Sequence, residues 1–429
     1  MAGSISPQMT TPGFIPPVSP DVQQEPVKPP RGRIDSIDLL RGIVMVIMML
    51  DHTRDFVHKA GFFFDPTDLS QTSTMLFLTR WITHFCAPVF VFLAGTGAYL
   101  QFARGKSKRE LSRFLITRGL WLILLELTLV RLGATFSFDP GFLAFLQVIW
   151  VIGVSMIILA GLIHLPLGVT ASFGIAMIAL HNLLDRFQVQ PWRGPGTPIP
   201  SVGGKLWMLL HQQGGYPIDG WPSPFVFVVY PLIPWIGVMA VGYAFGALYK
   251  MDAERRRKML LYIGGVAIIL FSLIRAIDYY GDPSHWHKQK TVVFTVLSFV
   301  NTTKYPPSLL FLLMTLGPAI VVLAWFEVMN RGAIGRLFVT FGRVPLFFYL
   351  LQWPTAHGIS VLLHLIFGKP VAWLFMSPIE MFANPPKGQG FDLWVVYVSW
   401  IAGVALLFPL CKWFADVKAR RRDWWLSYL

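Results

Sequence analysis

Asp38-Leu39-Leu40-Arg41-Gly42-Ile43-Val44-Met45-Val46-Ile47-Met48-Met49-Leu50-Asp51-His52 is an apolar stretch with a cation near its start and an imidazole at its end. Arg41 and His52 stand eleven positions apart. On an α-helix eleven steps of about 100° make roughly three turns, so both side chains share one face, about 16 Å apart along the axis. Charged groups at the centre of a bilayer cost at least about 2.5–3.5 kcal/mol and therefore turn to a cavity, a pathway or a partner. The pattern predicts a membrane-embedded helix that lines an active site.

Composition supports the bilayer as solvent. Of 429 residues 54% are hydrophobic and 14% charged, with 16 Trp, 35 Phe and a mean hydropathy of +0.56, which excludes an ordinary soluble domain. The net charge of +14 is spread in short clusters beside apolar segments, so it reads as membrane topology and not as a nucleic-acid surface. Cys86 and Cys411 both lie in apolar segments and suggest neither a disulfide framework nor a zinc site. His285 and His287 stand in a loop without further ligands, so no metal is expected there.

Residues 1–34 form a proline-rich tail expected to be disordered and cytoplasmic, lacking the basic start and apolar core of a signal peptide. The expected fold class is all-α, a polytopic membrane protein with about ten transmembrane helices. They are placed near 37–57, 76–102, 112–132, 142–163, 166–185, 225–249, 259–277, 307–329, 337–365 and 393–416, within a domain spanning 35–416. The basic clusters 104–113, 250–258, 331–336 and 418–422 then share one side, which the positive-inside rule makes cytoplasmic. Residues 417–429 form a basic cytoplasmic tail, and the longer loops face the other side. Gly242 and Gly246 make a GxxxG pattern, expected to pack two helices closely.

Polar residues gather around His52. Asp51, Asp55 and His58 lie within about a turn of it or of Arg54, so a carboxylate could orient the imidazole as a general base requires. The competing account is helix-end polarity at the interface. Arg41 could equally snorkel to lipid phosphates or pair with Asp38. His84, in Arg80-Trp81-Ile82-Thr83-His84-Phe85-Cys86-Ala87-Pro88, is expected at a depth like that of His52, either assisting it or packing the bundle. Glu126 needs a partner or a proton inside an apolar helix. Gln147, Gln352 and His357 either line the same cavity or bond neighbouring helices.

Arg41, ten intervening residues and His52, opened by Ser36-Ile37-Asp38-Leu39-Leu40-Arg41-Gly42, resemble the Arg-x10-His signature of acyltransferase-3-type transmembrane acyltransferases. Three further runs resemble bacterial relatives of heparan-α-glucosaminide N-acetyltransferase: His84 through Gly95, Tyr230-Pro231-Leu232-Ile233-Pro234-Trp235, and Thr303-Lys304-Tyr305-Pro306-Pro307-Ser308-Leu309. The resemblance covers roughly 35–416. It implies transfer of an acyl group, usually acetyl, from cytoplasmic acetyl-CoA or another acyl-CoA to a carbohydrate or glycolipid acceptor across the membrane. Arg41 would hold a CoA phosphate, with Gln147 as a second donor-binding residue, and the thioester would reach toward His52. In the lysosomal branch an Asn stands at the position of His52 and the catalytic His lies in the following loop, so His52, His58 and His84 all remain candidate bases. Direct transfer and an acyl-histidine are both open. The luminal domain of the lysosomal enzyme has no counterpart here, which points to an envelope sugar or glycolipid instead of heparan.

The expected location is a bacterial inner membrane with both termini cytoplasmic. A homo-oligomer is compatible with the sequence. The rival class is a small-molecule transporter or proton-coupled exporter that uses the same residues as a relay, although no internal repeat is visible.

Overall fold

A computed structural model describes residues 34–61, 64–219, 224–330, 332–383, 388–421 and 423–428. The expected disordered tail falls almost wholly outside these residues. The helices are α1 (Asp35–Val57), α2 (Thr74–Thr83), α3 (Cys86–Ala103), α4 (Lys108–Leu125), α5 (Arg131–Thr135), α6 (Val148–Leu162), α7 (Leu167–Leu180) and α8 (Val202–Leu210). They continue with α9 (Leu232–Phe245), α10 (Ala253–Ile277), α11 (Val292–Val300), α12 (Leu309–Phe326), α13 (Ala333–Arg343), α14 (Pro345–Ile366), α15 (Pro378–Ala383) and α16 (Leu393–Arg420). The protein is an all-α membrane-type bundle.

Among the described residues seven helical units are long and apolar enough to cross a membrane: α2 with α3, α7 and α9 each with its closing turn, α10, α12, α14 and α16. The expected number was about ten. The shortfall has physical reasons: α1 and α4 are long enough but carry several charges, and α6 has only 15 residues.

Four expected segments differ in detail. The second breaks at His84–Phe85, after which Pro88 sits in the first turn of α3, where a missing N–H costs little. The ninth divides at Val344, with Pro345 opening α14. The starts of the fourth and sixth are strands. β1 (Phe142–Leu146) pairs in parallel with β3 (Phe225–Val228), which pairs antiparallel with β2 (Gly214–Pro217). Phe, Val and Leu suit a strand as well as a helix, so apolarity alone did not separate the two.

Glycines set the closest helix crossings. A Cβ on Gly42 would come within 1.8 Å of the Phe338 carbonyl oxygen, and one on Gly342 within 1.8 Å of the Asp38 carbonyl oxygen, so α1 and α13 touch backbone to backbone. Gly95 of α3 and Gly242 of α9 do the same, with 2.1 Å to the carbonyls of Met239 and Phe92. The GxxxG expectation therefore holds: Gly242 meets Phe92 and Gly246 meets Tyr99. Gly42→Ala is expected to destabilise the protein by at least about 1–3 kcal/mol, because two backbones must part. Thermal unfolding in detergent checks this, and an unchanged Tm would show that α13 gives way freely.

Candidate active site

α1 delivers polar groups to two cavities. At its N-terminal end a cavity of about 380 Å3 is lined by Asp38, Arg41, Arg104, Arg118, Arg343 and Lys418, with apolar walls from α3, α4 and α6. Arg41 pairs with Asp38 at 3.1 Å, and Arg343 lies 3.7 Å from Asp35. Arg118 donates to the Ser427 carbonyl and is close enough to Arg41 for the two charges to repel. Cations outnumber carboxylates here, which suits a polyanion.

The second cavity, about 350 Å3, lies at the other end of α1 and is lined by Asp51, His52, Arg80, Gln147, Tyr230, Tyr305, Trp353 and His357 among others. The two cavities abut. Gln147 lines the second and Val148 the first; Trp353 lines the second and Tyr349, one turn earlier on α14, the first.

His52 is 8% exposed and its ring stacks on Trp353, with centroids 3.8 Å apart and planes at 24°. Its Nδ1 is buried without a hydrogen-bond partner. The carboxylate next to it is engaged elsewhere. Asp51 Oδ1 meets Arg54 at 2.8 Å and Asp51 Oδ2 meets Arg80 at 2.5 Å, while Arg54 also reaches Asp55 at 2.5 Å. The two carboxylates expected to orient His52 thus bind guanidinium groups, which they neutralise, while the face of Trp353 contacts the imidazole ring.

The other candidate imidazoles lie apart from this wall. His84 is 3% exposed and packs its ring on Phe311, with centroids 5.3 Å apart. His58 caps the end of α1, bridges to Phe391, and accepts a hydrogen bond from the Ala60 N–H at 3.1 Å through Nδ1. Burial, with Arg54 and Lys59 nearby, lowers His58 to about 4, so it is neutral at physiological pH. Gln147, expected with the donor, lines the His52 cavity. Among the described residues Glu126 makes no ion pair with an arginine. It accepts from the Trp150 N–H at 3.1 Å, at the start of α6, where unpaired backbone N–H groups and the helix dipole favour an anion.

Tyr230 and Tyr305 on this cavity, and Lys304 near it, escaped the sequence reasoning, whereas His357 was already a candidate. Tyr230 and Tyr305 come from two of the recognisable runs, with rings 5.2 Å apart, but nothing local marked them as cavity walls. Lys304 is 8% exposed and its charge acts on Asp51 and His52. Its loop is held by Asp282, which accepts from Thr303 N–H at 2.9 Å and Ser308 Oγ at 2.6 Å. His357 is sandwiched between Phe136 and Phe56, with centroids 4.0 and 4.5 Å away. Phe136 reaches that position with a left-handed φ of 46°, a strained conformation for a residue with a Cβ.

A family model described as heparan-alpha-glucosaminide N-acetyltransferase, catalytic, matches residues 33–276. The chain belongs to this family. The match takes in α1 through nearly all of α10, and so includes Arg41, His52, His84, Gln147 and Tyr230. No curated protein matches the chain at a significant level. Family membership and the apolar helices together identify a multi-pass membrane protein of an acetyltransferase family. Tyr305, Trp353 and His357 close the heparan-alpha-glucosaminide N-acetyltransferase-like site from beyond the matched region.

Proposed function

We propose that this protein transfers an acetyl group from acetyl-CoA, bound in the Arg41 cavity, to a hydroxyl or amine of a sugar or glycolipid in the His52 cavity. One observation carries the reading: a single helix supplies a cationic cavity and an imidazole cavity that abut. The basic clusters near the first cavity favour a cytoplasmic donor, because Arg104 and Lys418 belong to them, and hence an extracytoplasmic acceptor in an inner membrane. The phosphates of CoA suit the guanidinium groups of Arg41, Arg118 and Arg343, since arginine forks match phosphate oxygens. About 16 Å of helix separates Arg41 from His52, a span a pantetheine arm can bridge.

In this reading His52 takes the proton from the acceptor as its oxygen or nitrogen attacks the thioester carbonyl. The C–S bond then breaks, and the CoA sulfur leaves with the proton returned by the imidazolium. Trp353 holds the ring plane. Gln147, Tyr230 and Tyr305 offer polar groups to the acceptor, as carbohydrate recognition requires.

Calorimetry of acetyl-CoA with detergent-purified protein tests the donor assignment. Arg41→Ala and Arg118→Ala are each expected to raise Kd at least about 10-fold, as loss of a charged hydrogen bond to phosphate does. Folded wild-type protein that binds no acetyl-CoA but moves a solute in sealed vesicles would instead support a transporter.

A further inference from the structure

Outside the two cavities, His181, Asp185 and His211 place one ligand atom each within 4.8 Å of one another. His181 opens the short turn at the end of α7, Asp185 follows one turn later, and His211 ends α8. His211 Nε2 lies 3.0 Å from Asp185 Oδ1. Both imidazoles are 2% exposed. Neither ring nitrogen of His181 makes a hydrogen bond of good geometry, and His211 Nδ1 is likewise buried and unpartnered. Buried polar atoms left unsatisfied are rare and costly, so a cluster of them that converges on one point needs a ligand.

We propose that His181, Asp185 and His211 bind a zinc ion, with water in the fourth position. Two imidazoles and a carboxylate are a donor set that zinc accepts in tetrahedral geometry. Bonds of about 2.0–2.1 Å put tetrahedral ligand atoms about 3.3 Å apart. The 3.0 Å pair is close to this, and the remaining separations, up to 4.8 Å, would have to shorten on binding. An outer shell is also in place. Asn182 donates to Asp185 Oδ2 at 2.8 Å, and the Pro307 carbonyl lies beside His181, where it can fix the tautomer. The absence of any expected metal in the sequence reading came from spacing: His211 lies 26 residues beyond Asp185, so only the fold unites them.

The ion would fasten two walls of the His52 cavity from outside. His211 leads into β2 and thence, through β3, to Tyr230; His181 abuts Pro307, two residues from Tyr305. Asn182 Oδ1 also accepts from the Leu309 N–H at 2.9 Å, tying the end of α7 to the start of α12. The proposal does not depend on the acetyltransferase reading.

The full chain, purified in detergent and stripped with a chelator, is to be dialysed against micromolar Zn2+ and its zinc measured by elemental analysis. About one zinc per chain is expected, lost in His181→Gln and His211→Gln but kept in His285→Ala, whose residue is exposed elsewhere. Added Zn2+ should raise the Tm of stripped wild type by at least about 2–4 °C and leave both variants unmoved. Asp185→Asn keeps the shape of the site, so weakened binding in a variant that elutes as the folded protein separates ligation from misfolding. Folded wild-type protein without stoichiometric zinc, or variants that retain it, would overturn the assignment.

Discussion

His52→Ala is expected to lower acetyl transfer about 10²–10⁴-fold, the loss that removal of a general base produces, while leaving acetyl-CoA affinity within about twofold. The separation of effects follows from the geometry, because His52 lines one cavity while Arg41, Arg118 and Arg343 line the other. His58→Ala supplies the decisive comparison. His58 bridges to Phe391 at the end of α1 and uses Nδ1 to accept from the backbone, so the rate should fall no more than about threefold. A collapse of rate in His58→Ala with activity kept in His52→Ala would move the base to the loop after α1. Trp353→Leu removes the ring on which His52 stacks and is expected to lower kcat more than it raises KM, since it loosens the base without touching the donor cavity.

Asp51→Ala should be among the most destabilising single changes in the protein, by roughly 3–5 kcal/mol. The carboxylate joins Arg54 and Arg80, and the Arg54 and Arg80 side chains are only 3% and 11% exposed. Removing it leaves two buried guanidinium groups facing each other, with Asp55 alone to compensate Arg54. Detergent thermal unfolding and yield of monodisperse protein report the effect. Arg80→Ala should be damaging through the same network, and the double variant Asp51→Ala/Arg80→Ala less so than the sum of the two, because coupled pairs are not additive. Additive losses would show that the cluster is not a unit.

The two predictions probe different readings of one polar cluster. From sequence, Asp51 and Asp55 look like partners of the histidine beside them. In the fold the guanidinium groups take them, because a buried cation without a counter-charge costs more than an imidazole that can stay neutral. Glu126, which from sequence needs a partner or a proton, finds its partner in the backbone N–H of Trp150 at the start of α6.

The sequence by itself determined the membrane bundle, the helix that carries both Arg41 and His52, and the family. Apolar runs near the length of a bilayer and an eleven-residue spacing on one helical face are local properties, readable without knowledge of neighbours. Tertiary structure alone decided that the Arg41 and His52 faces open into two abutting cavities, that His84 turns to Phe311, and that Tyr305, Trp353 and His357 complete the second wall. It also decided the strands at 142–146 and 225–228, and the meeting of His181 and Asp185 with His211. The physical reason is common to all of these: contacts between segments distant in the chain depend on how helices cross. Close crossings such as Gly42 on Phe338 and Gly342 on Asp38 are set by packing partners that no local spacing names.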